Sequence, residues 1–201
     1  MRRQADRLTG GMRIAVIGTG NIGGTLGGRW LAAGQDVVFG ARSASADGKA
    51  GAPVLAVGDA LSGADVAVLA VPGPAVADVL GEHGSSLADR IVVDATNTMG
   101  GTAFNSRAAI ASAAPGARYV RAFNTLGWEN FADPLPGAQL FFAADPTARR
   151  AAEELIAAIG LEPVYVGDAD AAGTVDALLP LWFALVRQRG GNRKLALRVI
   201  T

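Results

Sequence analysis

Several residue types that carry reactive chemistry are missing or rare in this sequence. The 201 residues include no cysteine, which excludes disulfides, thiolate nucleophiles and thiolate metal ligands. There is one histidine, His83, and there are two lysines, Lys49 and Lys194. Because such side chains supply much of the general acid–base catalysis in carbonyl reductases, few candidates for that role exist. The 18 basic and 18 acidic residues balance, so the chain has no overall charge that would attract nucleic acid.

Long apolar runs are also missing. The longest, at 64–71 and 177–186, are shorter than a membrane span, and Asp65 and Pro180 interrupt them. Residues 1–11 are polar and basic without the apolar segment of a secretory signal, and we interpret them as a disordered lead-in. The sequence therefore predicts a cytoplasmic protein with no membrane or nucleic-acid partner, whose basic C-terminal residues form a solvated end.

Short apolar runs alternate with helix-length segments from position 12 onward. Strands are predicted at 13–17, 36–39, 65–71, 90–94, 118–122, 138–143 and 162–166, with a weaker strand at 53–57. Helices are predicted at 21–33, 74–82, 104–113 and 147–159. This alternation is typical of an α/β protein, and we predict a Rossmann-type, doubly wound parallel sheet with helices on both faces.

A glycine-rich turn follows the first predicted strand. Gly18, Gly20 and Gly23 fit the G-x-G-x-x-G pattern, with Thr19, Asn21 and Ile22 between them. In this pattern the first glycine allows a tight turn, the second lets the backbone approach a pyrophosphate, and the third lets the helix pack on the strand. The alternative is an ordinary turn in a chain with 27 glycines. Its position between a strand and a helix favours dinucleotide binding.

The end of the second predicted strand indicates which dinucleotide binds. An NAD site needs an acidic residue there, about 20 residues after the glycines, to bind the ribose hydroxyls. This strand instead continues into Gly40, Ala41, Arg42 and Ser43. A guanidinium can bond two oxygens of a 2′-phosphate at once, so the sequence favours NADP over NAD. The alternative is that Arg42 is a solvated loop arginine.

Five motifs occur in a particular order along the chain. Segments 17–23, 38–42, 69–72, 94–97 and 122–127 have the sequences IGTGNIG, VFGAR, LAVP, DATN and AFNTLG. With the more particular run FNTLGWENFADP at 123–134, they resemble the NADP-dependent oxidoreductases of the deazaflavin coenzyme F-420 (F420) type. The resemblance covers about residues 12–182 and implies hydride transfer between NADP(H) and the deazaflavin ring.

The resemblance also implies roles for single residues. Thr19, Asn21 and Ile22 are expected at the pyrophosphate, and Arg42 with Ser43 at the 2′-phosphate. The remaining implied positions are Ala70, Val71 and Pro72 beside the cofactor ribose, and Asn97 and Asn124 on the nicotinamide side. On this basis we assign 12–166 to an NADP-binding Rossmann domain and 167–201 to a C-terminal helix and basic tail.

The residue inventory suits transfer between two rings. Reduction of a carbonyl leaves an alkoxide that needs a proton donor, but His83 is predicted in a surface loop and both tyrosines in strands. Transfer between heterocycles mainly requires that the rings be held together without water. We therefore assign no catalytic side chain and no metal, although Asp94 or Asp176 would serve as an acid if desolvated. The alternatives are an NADPH-dependent reductase of a flavin, quinone, carbonyl or imine, and a non-catalytic redox sensor.

The C-terminal appendage is too short for the large helical domain of hydroxyacid dehydrogenases. Its one long helix, predicted at 168–187 with a kink at Pro180, is apolar nearly all round. Such a helix packs on its own sheet or forms a subunit contact, and we expect a homodimer. Trp128 and Phe131 are interpreted either as flanking a planar substrate or as anchoring their loop.

Overall fold

The structure, a computed structural model, describes residues 11–101 and 103–200. The strands are β1 (Arg13–Ile17), β2 (Asp36–Ala41), β3 (Ser45–Lys49), β4 (Ala52–Ala56), β5 (Val66–Leu69), β6 (Ile91–Asp94), β7 (Arg118–Arg121), β8 (Gln139–Ala144) and β9 (Glu162–Gly167). The helices are α1 (Asn21–Ala32), α2 (Val57–Leu61), α3 (Val76–Leu87), α4 (Arg107–Ala113), α5 (Trp128–Ala132), α6 (Arg149–Ala158), α7 (Ala172–Asp176) and α8 (Leu178–Gln188). The predicted lead-in lies outside the described residues except for Gly11.

All these strands belong to one sheet with the order β3-β4-β2-β1-β5-β6-β7-β8-β9. β1 pairs in parallel with both β2 and β5. The chain builds outward from β1 through β2 and β4, then returns to β5 and continues through β6 and β7 on the other side. β8 is antiparallel to β7, and β9 pairs in parallel with β8. The reversal between β1 and β5 opens a crevice at the carboxyl ends of these strands, where such sheets bind ligands.

Helices cover both faces of the sheet, which confirms the predicted α/β fold class. In β1, Ile14 and Val16 belong to an apolar cluster with Trp30 of α1. Ala15 and Ile17 belong to a second cluster, which includes residues of α2, α3 and α4. Successive strand residues point to opposite faces. Because both faces are covered, the central strands are apolar at nearly every position and produce continuous apolar runs in the sequence.

α1 packs unusually close to the sheet because it contains glycine on its inner face. A Cβ on Gly27 would lie 2.4 Å from the Phe39 ring of β2. Three residues further on, Trp30 is fully buried and its indole Nε1 donates to the carbonyl oxygen of Leu155 in α6 at 2.9 Å. These contacts fix the position of α1, whose N-terminus points toward the crevice.

The predicted single helix at 168–187 is wrong in its details. A 3-10 turn at Ala169–Ala171 leads into α7, and Ala177 separates α7 from α8. Pro180 lies in the first turn of α8, where a residue has no intrahelical N–H bond to lose. The proline therefore leaves the hydrogen-bond ladder of the helix intact. The prediction that it removes a bonded donor from the interior of the helix is wrong.

The helical stretch Ala169–Gln188 is long enough and apolar enough to cross a membrane, judged by length and composition alone. The expectation that every apolar run is too short does not hold for this stretch. Core helices of globular proteins pass the same test, and α8 packs Leu179, Trp182 and Val186 against the rest of the fold.

Three short elements were not predicted, and one loop was predicted wrongly. β3 is polar and mostly exposed, and it pairs antiparallel with β4 as an edge hairpin. α2 and α5 have five residues each, too few to show a helical period. His83 was expected in a surface loop, but α3 continues through it to Leu87. The His83 side chain is therefore half-buried on α3.

Candidate functional site

An elongated cleft lies at the carboxyl edge of the sheet, at the crevice between β1 and β5. Two adjoining cavities of about 800 Å³ and about 310 Å³ make up this cleft. Both are lined by Gly20, Ala70, Val71 and Pro72, so they meet over the loop between β1 and α1. The cleft therefore has two lobes joined above the start of α1.

The three motif glycines have different surroundings in this loop. Gly18 has a φ of +113°, and a Cβ there would lie 2.5 Å from the carbonyl oxygen of Ala70. A Cβ on Gly23 would lie 2.1 Å from the carbonyl oxygen of Gly18. Gly20 has an ordinary φ of −71°, and a Cβ there would have no atom within 4 Å. Gly18 and Gly23 shape the loop, whereas Gly20 leaves open space above it.

The N-terminus of α1 faces this open space. Gly20 is the N-cap, and no side chain of residues 11–101 or 103–200 caps the helix. The first intrahelical bond runs from the Gly24 amide to the Gly20 carbonyl, at 2.7 Å. The amides of Asn21, Ile22 and Gly23 therefore have no intrahelical acceptor. With the positive end of the helix dipole, they form an arrangement suited to binding phosphate.

The larger cavity carries charged side chains. Arg42, just after β2, is exposed and lines the cavity, whereas Ser43 is exposed and is not a lining residue. Asp78, Glu82 and His83 line the opposite wall from α3. Among the described residues that line this cavity, Arg42 alone carries a permanent positive charge, which makes it the natural partner for an anionic group there.

The smaller cavity is backed by a buried polar network. Asn97 lines the cavity, and its Oδ1 accepts a bond of 2.9 Å from Arg121 Nη2. Its Nδ2 donates to the carbonyl oxygen of Asn124 at 2.8 Å. Asn124 is buried behind Asn97, and its own Nδ2 donates to Asp176 Oδ1 at 3.0 Å. Asn97 thus faces the cavity, and Asn124 supports it from behind.

Asp94 and Tyr119 belong to the same network and do not reach the cleft surface. The Asp94 carboxylate, fully buried, accepts bonds from the amide and hydroxyl of Thr96, the amide of Ser106 and the hydroxyl of Tyr119. Burial, and next the carboxylate of Asp94, raise the pKa of Tyr119 far above its usual range. Both groups serve structural bonding, which leaves neither in a position to transfer a proton in the cleft.

Most of the predicted site residues lie at the cleft, although not all of them line it. The larger cavity is lined by Gly18, Thr19, Gly20, Arg42, Ala70, Val71 and Pro72. The smaller cavity is lined by Gly20, Asn21, Ile22, Ala70, Val71, Pro72 and Asn97. Gly23, Ser43 and Asn124 contribute no lining surface in either cavity.

Two residues at the cleft, and one that lies over α1, were not assigned to the site from the sequence. Arg121 organises the polar network, and the sequence clue was a charged residue at the end of an apolar strand. His83 lines the larger cavity because α3 is longer than predicted. The Lys49 side chain lies over α1, with its Nζ 3.6 Å from where a Cβ on Gly24 would stand. No sequence motif connects β3 with α1, so this contact had no local signal.

The two aromatic residues after β7 have different surroundings. Phe131 is fully buried and makes an edge contact with Phe123, the ring centroids being 5.8 Å apart. Trp128 remains 38% exposed. Phe131 therefore anchors the segment, whereas Trp128 is exposed and lines neither cavity of the cleft. Among the described residues, no group of three or more potential metal ligands occurs.

The sheet topology, the glycine loop and the two-lobed cleft define a Rossmann-type dinucleotide-binding protein of the oxidoreductase class. Residues 13–98 match the family described as NADP oxidoreductase, coenzyme F420-dependent. The chain is 29% identical to the F420-dependent NADP reductase of Methanothermobacter thermautotrophicus, in an alignment that covers 90% of this chain and 92% of the relative.

Two solved structures share the fold over nearly their whole length. One, from Arthrobacter sp. FB24, is provisionally described as an F420-dependent NADP reductase. Its TM-score is 0.82 at 24% identity, and the superposition covers 95% of this chain and 100% of the Arthrobacter chain. The other is a hypothetical protein of Sinorhizobium meliloti with a TM-score of 0.69 at 30% identity, covering 94% and 96%. These likenesses span both the sheet and the C-terminal appendage of this chain.

Proposed function

We propose that the protein transfers a hydride between NADP(H) and the deazaflavin coenzyme F420. The observation that carries the proposal is the open space over Gly20, where the two lobes meet at the uncapped N-terminus of α1. A pyrophosphate fits there because the glycine leaves room and the first helical amides donate. The match of residues 13–98 to the family of F420-dependent NADP oxidoreductases supports both the nucleotide and the acceptor.

In this proposal the larger lobe holds the adenosine half of NADP(H). Thr19, Asn21 and Ile22 lie along the pyrophosphate, and Arg42 pairs with the 2′-phosphate, with Ser43 next to it. Arg42 supports this role because it is exposed and borders the cavity. An exposed guanidinium with no buried partner is free to form a bidentate pair with a phosphate.

The smaller lobe holds the nicotinamide half, with Ala70, Val71 and Pro72 along the ribose. Asn97 presents its amide to this lobe, and Asn124 acts through Asn97, because its carbonyl accepts the Asn97 Nδ2 bond and its side chain is buried. The described residues that line the smaller lobe include no charged side chain. This lining suits an apolar ring that must meet a second ring without water between them.

The reaction needs little proton chemistry from the protein. The cleft would hold NADPH as the hydride donor beside oxidised F420, which would take up the hydride and one proton from solvent to give NADP⁺ and reduced F420. The residues of the cleft would hold the two rings together and exclude water. The rate then comes from the proximity of the rings and from the chemistry of the cofactors themselves. We therefore assign no catalytic acid or base, and the match to the F420-dependent family supports F420 as the acceptor over the carbonyl, flavin or sensor alternatives.

The direct test is anaerobic mixing of the protein with NADPH and oxidised F420, with the loss of deazaflavin absorbance as readout. Rapid, protein-dependent bleaching is the expected result. A parallel titration measures NADPH binding in the same sample. NADPH binding without bleaching would discard F420 as the acceptor and retain the nucleotide site, whereas loss of both would remove the cofactor assignment as well.

We also propose that the protein is a cytoplasmic homodimer. The subunit contact is the outer face of α8, where Ala177, Pro180, Leu181 and Ala184 are exposed. Leu181 is 48% exposed in the middle of this face. Exposed apolar surface of this kind is typical of a subunit interface. A chain without cysteine is also compatible with a reducing compartment.

A further inference from the structure

Arg121 is a fully buried arginine at the carboxyl end of β7, and it bonds two residues that line the smaller lobe of the cleft. Its Nη1 donates to the carbonyl oxygen of Thr96 at 2.6 Å, and its Nη2 donates to Oδ1 of Asn97 at 2.9 Å. A buried guanidinium is expensive to desolvate, and it persists only where its donors and charge are satisfied. Because its donors bond residues that line the cleft, the buried guanidinium belongs to the structure that supports the cleft.

Two carboxylates hold the guanidinium in one orientation. Asp176 Oδ1, from α7, lies 2.7 Å from Arg121 Nε and 2.6 Å from Nη2. Asp94 Oδ1, from β6, lies 3.3 Å from Nη1. The planar fork of arginine has no freedom to rotate between such partners. Its Nη2 donor is therefore directed at Asn97 by contacts on two other elements.

This arrangement fixes the amide of Asn97. A side-chain amide can normally turn over and exchange its donor and acceptor ends. Here a flip would turn the Nδ2 donor toward the Arg121 donor and the oxygen toward the carbonyl oxygen of Asn124, and both contacts would be repulsive. Only one Nδ2 hydrogen is used by Asn124, so the second remains for a partner in the lobe.

We propose that Arg121 is a positioning residue that keeps Asn97 oriented as a hydrogen-bond donor toward an oxygen on the nicotinamide half of the nucleotide. The inference rests on the proposed NADP(H) site. It adds to that site the residue that makes Asn97 present a donor, and not an acceptor, to the smaller lobe. Asp176 gives the C-terminal appendage a part in this, because it clamps Arg121 from outside the nucleotide-binding sheet.

The experiment compares NADPH with adenosine 2′,5′-bisphosphate, which has the adenosine and 2′-phosphate but lacks the nicotinamide half. Dissociation constants for both are measured by calorimetry on the wild type, Asn97→Ala, Arg121→Lys and the double variant. One neutral hydrogen bond corresponds to about a 3- to 10-fold change in affinity. Each single variant is expected to lose NADPH affinity by about that factor and to keep its affinity for the bisphosphate.

The double variant tests whether Arg121 acts through Asn97. If it does, Arg121→Lys will change the ratio of the two dissociation constants in the wild type and will leave it unchanged in the Asn97→Ala background. Arg118→Lys is the matched control, because Arg118 lies at the other end of β7, donates to the carbonyl oxygen of Asp89 and lines neither lobe of the cleft. It is expected to leave the ratio unchanged.

Two results would overturn the inference while leaving the nucleotide site intact. One is an equal loss of both ligands in Arg121→Lys, which would give the arginine a purely structural role; the other is additive loss in the double variant. A wild type that binds neither ligand would instead remove the proposed function itself. The two failures are therefore distinguishable in one data set.

A further variant keeps the test decisive if Arg121→Lys does not fold. Asn97→Asp preserves an acceptor for Arg121 and supplies it with a countercharge, but it replaces the Nδ2 donor by a second oxygen. NADPH affinity is expected to fall by at least as much as in Asn97→Ala, with the bisphosphate unaffected. Wild-type NADPH affinity in Asn97→Asp would contradict the donor role.

Discussion

The glycines of the loop between β1 and α1 differ in what a side chain would meet at each of them. At Gly23 a side chain would meet the backbone of Gly18, and at Gly20 it would enter the cleft. Since the free protein already has space at Gly20, the requirement for glycine there comes from a ligand and not from the fold. A substitution at Gly20 therefore tests ligand binding, and a substitution at Gly23 tests the stability of the fold.

We expect Gly20→Val to abolish NADPH binding while the protein keeps its thermal stability, because the valine would fill the space reserved for the pyrophosphate. Gly23→Ala is expected to lower stability by about 1–3 kcal/mol, because its Cβ forces α1 away from the loop. Calorimetric titration and thermal unfolding of both variants are the measurements. Tight NADPH binding by a folded Gly20→Val protein would contradict the placement of the pyrophosphate.

Arg42 is the residue at which NADP selectivity is expected. We predict that Arg42→Ala weakens NADPH binding by about tenfold, the effect of losing one charge-assisted hydrogen bond, with NADH binding nearly unchanged. Arg42→Lys retains the charge without the planar fork and should give an intermediate loss. Titration of each variant with both nucleotides is the check, and equal losses for NADPH and NADH would remove the assignment to the 2′-phosphate.

Local spacing is why some of the candidate site residues are predictable from sequence and others are not. Gly18, Gly20 and Arg42 stand at fixed distances from two apolar runs, and each lies where the motif implied a cleft residue. Arg121 and Asp176 are far apart in the chain and meet only because α7 packs on β8, which is the neighbour of β7 in the sheet. No periodicity or motif records such a pairing, so the network behind Asn97 required the fold.

At the scale of elements, the close approach of α1 to β2 depends on Gly27. Its Cβ would overlap the Phe39 ring, which is fully buried and cannot move aside. We expect Gly27→Ala to lower the free energy of unfolding by about 1–3 kcal/mol through overpacking. Gly81, exposed on α3 with no atom within 4 Å of its Cβ position, provides the matched control.

The control is expected to change stability in the opposite direction. Gly81→Ala should stabilise the protein by about 0.5–1 kcal/mol, because alanine loses less backbone entropy in a helix. Chemical denaturation of both variants beside the wild type measures the two changes. Stabilisation by Gly27→Ala would mean that α1 lies further from the sheet than its contacts indicate.

The strands that the sequence predicted best are those whose two faces are both buried. β1, β5 and β6 are buried along nearly their whole length, and their apolar runs predicted them to within two residues at each end. β3, with the sequence SADGK, is held by pairing with β4 and has no buried face to leave a pattern. The division between α7 and α8 was missed because Ala177, where it falls, is neither glycine nor proline and keeps helical φ and ψ angles.

Across the whole molecule, the C-terminal appendage and tail contact the sheet, α5 and each other. Asp176 of α7 meets Arg121, and the indole Nε1 of Trp182 in α8 donates to the carbonyl oxygen of Leu195 at 2.9 Å. The Arg193 carbonyl accepts a bond from Asn130 Nδ2. Trp182 lies on the inner side of α8, whereas Pro180, Leu181 and Ala184 on its outer face are exposed.

That outer face is where we expect the two subunits of a homodimer to meet. Leu181→Arg places a charge at its centre, and the desolvation of that charge in an apolar contact opposes association. Light scattering after size-exclusion chromatography should give twice the chain mass for the wild type and one chain mass for Leu181→Arg. Leu135→Arg, at another exposed leucine in the loop before β8, should remain dimeric. A monomeric wild type at micromolar concentration would reject the dimer, and a dimeric Leu181→Arg would move its interface to another surface.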